Sequence, residues 1–306
     1  MTGPLTQQLA KHSLLILDGA MGTELQRRGV DTGLPLWSAN ALIAHPEAVL
    51  QIHKDYIEAG ADIITTNTFR TTRRTLKRAN LPDRSQQLVR LAVEQTVRAR
   101  ASFPDRSVLI AGSIAPLEDC YRPDLVPSET ELEDEHGELA SRLVGLGVDF
   151  IILETMNTIR EAHAACRAAV STCKEVVVSF VCTPEGQLLS GESLVDAVNA
   201  ILPLQPTGFS INCVSPRHAS SSIRHLQSMS LLPLAVYGNV GLPESDKHGW
   251  EFTHDISEDE YAVFAGQWKQ SGARIIGGCC GTTPAYTRAL QKQLNRIDQL
   301  IQDKHL

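Results

Sequence analysis

The chain lacks any apolar run approaching the ~20 residues that a membrane-spanning helix requires. Its longest, such as Val148-Asp149-Phe150-Ile151-Ile152-Leu153, are far shorter. Positive charge is in deficit: 28 basic against 35 acidic residues leave a formal charge of −7. That balance argues against general affinity for nucleic acid or an anionic membrane surface. No Gly-x-Gly-x-x-Gly fingerprint and no P-loop is present. A secretory leader is not expected either, because Leu14-Leu15-Ile16-Leu17 is too short for one and runs straight into Asp18-Gly19. The expected compartment is the cytoplasm. The seven cysteines are an odd number, sparsely placed in 306 residues, unlike the dense even set of a disulfide scaffold. In a reducing compartment each is an apolar filler, a reactive thiol or a metal ligand, and filler is the default for a lone cysteine.

What the chain does have is a regular beat of short apolar runs and amphipathic stretches. The runs are 14–20, 62–69, 107–115, 149–155, 176–183, 208–214, 234–240 and 274–280. Each is nearly continuous in Val, Ile, Leu and Phe, as suits strands buried on both faces of a parallel sheet. Helices are expected over 46–59, 84–101, 128–146, 158–172, 193–202, 216–229, 257–270 and 284–302. Ser128-Glu129-Thr130-Glu131 fits a capping box, and Pro46, Pro216 and Pro284 each fall in a first helical turn. Eight such units are the number that closes a (β/α)8 TIM barrel, with an open doubly wound sheet as the other architecture. No low-complexity linker interrupts the pattern, so residues 1–306 read as a single domain with a core over about 14–302. Longer excursions follow the first strand (27–44), the third (116–127) and the seventh (241–256), on the face where barrel enzymes build active sites.

Polar residues fall at the carboxyl ends of the expected strands: Asp18-Gly19, Thr66-Asn67, Glu154-Thr155, Asn212-Cys213, Asn239, and Gly277-Gly278-Cys279-Cys280-Gly281. A catalytic zinc takes three protein ligands and keeps a fourth position open. Cys213, Cys279 and Cys280 supply such a set if strands six and eight end on one rim. Neighbouring cysteines in a regular strand point to opposite faces, so the backbone must leave the extended path there, which Gly277, Gly278 and Gly281 permit. The other reading is two separate buried thiols beside a glycine-rich turn. Cys120, Cys166, Cys173 and Cys182 read as non-functional, and His248 and His254 as solvated loop residues.

With these motifs in order, Asp18-Gly19-Ala20-Met21-Gly22-Thr23-Glu24-Leu25, Glu154-Thr155-Met156, Ile211-Asn212-Cys213 and Gly277 through Pro284, the chain resembles the zinc-dependent homocysteine S-methyltransferases from about Leu14 to about Pro284. The resemblance implies a (β/α)8 barrel with Zn2+ on Cys213, Cys279 and Cys280, where the thiol of L-homocysteine takes the fourth position and attacks the methyl of a cationic donor. It also implies that Asp18 and Glu154 hold the homocysteine ammonium, and that backbone amides near Gly19 and the Trp37-Ser38 segment meet its carboxylate. Asp18 also fits an Asx turn before glycine, and Glu154 a strand-end salt bridge. No residue is assigned to general acid–base work, since methyl transfer from an onium donor needs no proton delivered.

A cationic donor favours aromatic faces; Trp37, Phe69, Tyr121, Tyr237 and Trp250 are available, though each also suits packing. Arg70 stands where some relatives carry a neutral or aromatic residue, and a cation there is expected to disfavour a donor. Cobalamin- and folate-using relatives carry the barrel within a much longer chain, and betaine-using ones add a long extension. Only residues 285–306 follow the paired cysteines here. The expected branch is therefore the short one using S-methylmethionine or S-adenosylmethionine, with a betaine-type or other sulfonium donor as the alternative. Two other readings stay open: a phosphate cradle after the eighth strand, and a closed structural zinc site in a binding protein. No nucleic-acid or membrane partner is expected.

Overall fold

The computed structural model describes residues 2–240, 243–246, 249–252 and 256–303. Eight strands form one parallel sheet: β1 (Leu15–Ile16), β2 (Ile63–Thr65), β3 (Leu109–Ile114), β4 (Phe150–Met156), β5 (Val176–Phe180), β6 (Gly208–Asn212), β7 (Leu234–Gly238) and β8 (Ala273–Gly278). Their order is β1-β8-β7-β6-β5-β4-β3-β2. The outer members meet as well. Leu17 bridges Ile63, Asp18 N–H donates to Ile63 O at 2.9 Å, and Asp62 N–H donates to Ile16 O at 2.7 Å. The sheet thus closes into the expected (β/α)8 barrel.

The crossover helices are α1 (Pro46–Glu58), α2 (Ser85–Ala101), α3 (Glu129–Gly145), α4 (Ile159–Val170), α5 (Leu194–Ile201), α6 (Pro216–Met229), α7 (Glu258–Gln270) and α8 (Pro284–Asp303). Capping boxes start α3 at Ser128 and α7 at Ser257. Strand alternation sorts the apolar residues into two shells. Ile16, Ile64, Ile110, Ile151, Val178, Phe209, Val236 and Ile276 face outward into the helix layer. Leu15, Leu17, Ile63, Leu109, Phe150, Ile152, Val177, Ala235 and Ile275 fill the interior. Burial on both faces is why each strand reads as an unbroken apolar run.

A helix that periodicity alone did not single out, Pro4–Lys11, stoppers the amino-terminal end of the barrel. Its Leu5 and Leu9 are buried in the interior cluster. Glu175, just before β5, accepts the Leu5 and Thr6 N–H groups at 2.8 and 2.9 Å. Arg274, near the start of β8, donates to the carbonyls of Leu9, His12 and Ser13. An anion at a helix start and a cation at its end both suit the helix dipole.

The loops at the other end carry additional short elements: helices Gly22–Arg27 and Ala39–Ala44 after β1, helix Arg73–Arg78 after β2, and an antiparallel hairpin of Pro243–Asp246 with Gly249–Phe252 after β7.

Candidate active site

The inward face of each strand changes from apolar to polar as it nears the carboxyl-end mouth. In β3 it runs Leu109, Ala111, Ser113, in β4 Phe150, Ile152, Glu154, and in β7 Ala235, Tyr237. A period of two thus carries Glu154 and Ser113 into the mouth together, where the Ser113 hydroxyl donates to Glu154 Oε2 at 2.5 Å. Burial raises the Glu154 carboxyl to about 7; the Ser113 and Tyr237 hydroxyls oppose that shift and the Cys213 sulfur adds to it. Asp18 closes β1. Its carboxylate accepts the Thr65 N–H at 2.8 Å and the Thr65 hydroxyl at 3.1 Å. Burial is again the main cause that pushes its pKa well up, with Glu154 contributing through like-charge repulsion. Neither carboxylate forms an ion pair among the described residues. Two mutually repelling carboxyls in one buried mouth favour a cation placed between them.

The three cysteines of the paired and distant motifs converge. Sγ of Cys213 and Sγ of Cys279 are 3.1 Å apart, and all three sulfurs lie within 4.8 Å of one another. No other such group of potential ligands occurs among the described residues. Cys213 follows β6 with φ of 56°, a left-handed conformation uncommon for a side-chain-bearing residue. Thr155, beside Glu154, is left-handed too, at 59°. One side chain holds both turns: Asn212 accepts the Thr155 N–H at 2.9 Å and the Ser179 hydroxyl at 2.7 Å, and donates to Thr155 Oγ1 at 2.8 Å.

At β8 the strand ends at Gly278 and the chain turns. Thr282 N–H donates to Cys279 O at 3.1 Å, with Gly281 at φ 82° in the third position, where such turns take glycine. Asn239 accepts the Cys280 N–H at 3.1 Å and fixes that turn against the end of β7. This departure from the extended path lets adjacent cysteines share one focus. Gly277 serves by size: a Cβ there would come within 2.6 Å of Leu17 Cβ. The polar residues at the strand ends therefore divide in function. Asn67, Asn212 and Asn239 fasten the rim, Asn67 through a 2.6 Å hydrogen bond from the Ser38 hydroxyl.

The donor set suits a thiophilic ion. Zinc at about 2.3 Å from each sulfur sets tetrahedral sulfurs roughly 3.8 Å apart, inside the 4.8 Å within which this cluster gathers its three. Within the cluster, hydrogen bonding from Cys279 and then Cys280 pulls the Cys213 pKa well down, and that sulfur in turn raises both neighbours. One thiol is thus poised to lose its proton first.

Asp18, Gly19, Trp37, Ser38, Glu154, Cys213, Cys279 and Cys280 all line one cleft of about 920 Å³, its open mouth included. The Ser38 hydroxyl is engaged with Asn67, whereas the Gly19 and Ser38 N–H groups donate to no backbone carbonyl among the described residues. Trp37 lies against Gly22, where a Cβ would fall 2.2 Å from its indole nitrogen. Phe69, Arg70, Tyr121 and Tyr237 complete the wall. Cys120, read as non-functional from sequence, also lines the cleft, with its thiol pushed up by burial. Cys166 and Cys182 are buried filler and Cys173 is exposed. His248, His254 and the Trp250 side chain lie outside the described residues. Ser113 and Thr65 were not anticipated, although β3 and β2 alternation could have found them.

Such a barrel, with three cysteine sulfurs that could hold a metal ion and two buried carboxylates facing one cleft, is the framework of an enzyme. The family model for homocysteine S-methyltransferase matches residues 15–294, and the chain belongs to that family. It is 32% identical to the homocysteine S-methyltransferase of Escherichia coli (strain K12), covering 94% of this chain and 97% of that one. It is 28% identical to the selenocysteine Se-methyltransferase of Brassica oleracea var. italica, covering 91% and 88%. The solved structure of the metallated form of the E. coli homocysteine methyltransferase MmuM matches with a TM-score of 0.84 at 30% identity, over 95% of this chain and 99% of that chain.

Proposed function

We propose that this enzyme, a single domain over residues 1–306 with its core at about 14–302, uses Zn2+ held by Cys213, Cys279 and Cys280 to methylate L-homocysteine from S-methylmethionine or S-adenosylmethionine, forming methionine. The convergence of three sulfurs from two remote strand ends is the observation that carries the reading. A free thiol with pKa about 8.5 is only a few per cent ionised at neutral pH. Zinc bound at these cysteines would supply Lewis acidity that holds a fourth thiol as its anion.

The chain's own residues position the reactants. Asp18 and Glu154 accept the homocysteine ammonium, which would favour the ionised form of both carboxyls. Backbone N–H groups at Gly19 and Ser38 meet its carboxylate. In the transfer, a sulfur lone pair of homocysteine forms the new carbon–sulfur bond as the donor's methyl–sulfonium bond breaks. The electron pair of the broken bond stays with the leaving sulfur, which departs as a neutral thioether; the thiol proton has already passed to solvent. No general acid is needed, and alignment supplies the remaining acceleration. No helix of the described chain is long and apolar enough to cross a membrane, and seven free cysteines accord with a cytoplasmic site of action.

A donor panel with homocysteine held constant, scored for methionine and paired with metal analysis, tests this. Turnover with sulfonium donors and one zinc per chain is expected. Metal content unaffected by Cys279→Ala or Cys280→Ala removes those ligands from the assignment, and turnover with betaine alone replaces the donor.

A further inference from the structure

Arg70 is the one cationic side chain on the cleft wall among the described residues. It follows Phe69 in the turn after β2, with its guanidinium carbon 5.4 Å from the centre of the Phe69 ring. Nη1 donates to the backbone carbonyl of Glu118 at 2.8 Å. The carboxylate of that glutamate is occupied by Arg74 at 3.0 Å and Arg78 at 2.7 Å. Arg70 itself forms no ion pair among the described residues, and a guanidinium has five N–H donors, most of them still available.

An immobilised, unneutralised cation in the same cleft repels a donor whose only charge is positive. It attracts one that carries an anion a few bonds from its sulfonium. Guanidinium and carboxylate also match as a planar, charge-assisted pair. Arg70 lies on the loop after β2, whereas Gly19 and Ser38, assigned to the homocysteine carboxylate, lie on the loop after β1. We propose that Arg70 anchors the carboxylate of the methyl donor and so selects sulfonium amino acids over simple trialkylsulfonium ions. This rests on the sulfonium-donor reading above, and it reverses the sequence expectation that a cation here disfavours the donor.

The test compares S-methylmethionine with its decarboxylated analogue, (3-aminopropyl)dimethylsulfonium. Each is titrated calorimetrically into zinc-loaded enzyme saturated with L-homoserine, an acceptor analogue without the thiol. Wild type is expected to bind S-methylmethionine at least tenfold more tightly than the analogue. Arg70→Gln erases that preference while leaving the affinity for homoserine unchanged, and Arg70→Lys restores part of it. The assignment is overturned if wild type shows no preference, if Arg70→Gln weakens both sulfonium ligands equally, or if the loss falls on homoserine. A preference that depends on Arg70 without methyl transfer to homocysteine would reject the donor reading and leave the carboxylate site standing.

Discussion

At the scale of single residues, the proposed function separates groups assigned to the reactants from groups that shape the rim. Glu154 is assigned to the homocysteine ammonium, so Glu154→Gln replaces a charge-assisted hydrogen bond with a neutral one. A loss of about 1.5–3 kcal/mol, roughly 10- to 150-fold in homocysteine affinity, is expected; titration of the metal-loaded variant measures it. Asn212 has a different part. It fastens the left-handed turns at Thr155 and Cys213 without reaching the cleft centre as a ligand. Asn212→Ala should weaken zinc retention about 10- to 100-fold, as loss of outer supports commonly does, with the fold kept; competition against a chromophoric chelator would show it. The cysteines were legible because a vicinal pair in a glycine-rich segment and a distant partner at another strand end form a specific pattern. Ser113 was not, because a serine in an apolar strand looks like filler until alternation from Leu109 and Ala111 is followed to the mouth.

At the scale of elements, all eight strands and eight crossover helices were legible, since burial on two faces writes continuous apolar runs and helical amphipathicity writes the intervals. The short helices were not. Gly22–Arg27, Ala39–Ala44 and Arg73–Arg78 have six residues each, fewer than two full turns, so no periodicity develops. Arg73–Arg78 is stabilised from outside its own sequence, by ion pairs from Arg74 and Arg78 to Glu118. Helix α1 carries a titratable group with a global effect. His53 is fully buried, neither ring nitrogen has a hydrogen-bond partner among the described residues, and burial lowers its pKa to about 3. Above about 6.5 both folded and unfolded chains hold this imidazole neutral. Between about 6.5 and 3 the unfolded chain takes a proton that the folded one refuses, so stability falls with falling pH by up to about 1.4 kcal/mol per unit. Denaturant unfolding of His53→Leu across that window should show a shallower acid slope than wild type.

At the scale of the whole molecule, closure comes from backbone hydrogen bonds between β1 and β2, and the sulfurs meet only at the rim. An ion held by them would therefore be a rim fastener between the ends of β6 and β8, with β7 between them. Chelation is expected to abolish methyl transfer and lower the melting temperature through lost ligand linkage while the far-ultraviolet dichroism stays native. Collapse of the dichroism on chelation would instead make the ion a folding element. Architecture at this scale could be counted from the sequence, but closure could not: it rests on Leu17 meeting Ile63 across the seam, a pairing that no local pattern encodes.

The amino-terminal helix seated between Glu175 and Arg274 adds Leu5 and Leu9 beneath a barrel interior already filled with side chains, so the cleft has a solid floor. Under the proposed function, acceptor and donor would come and go on one side of the barrel, the side where its strands end.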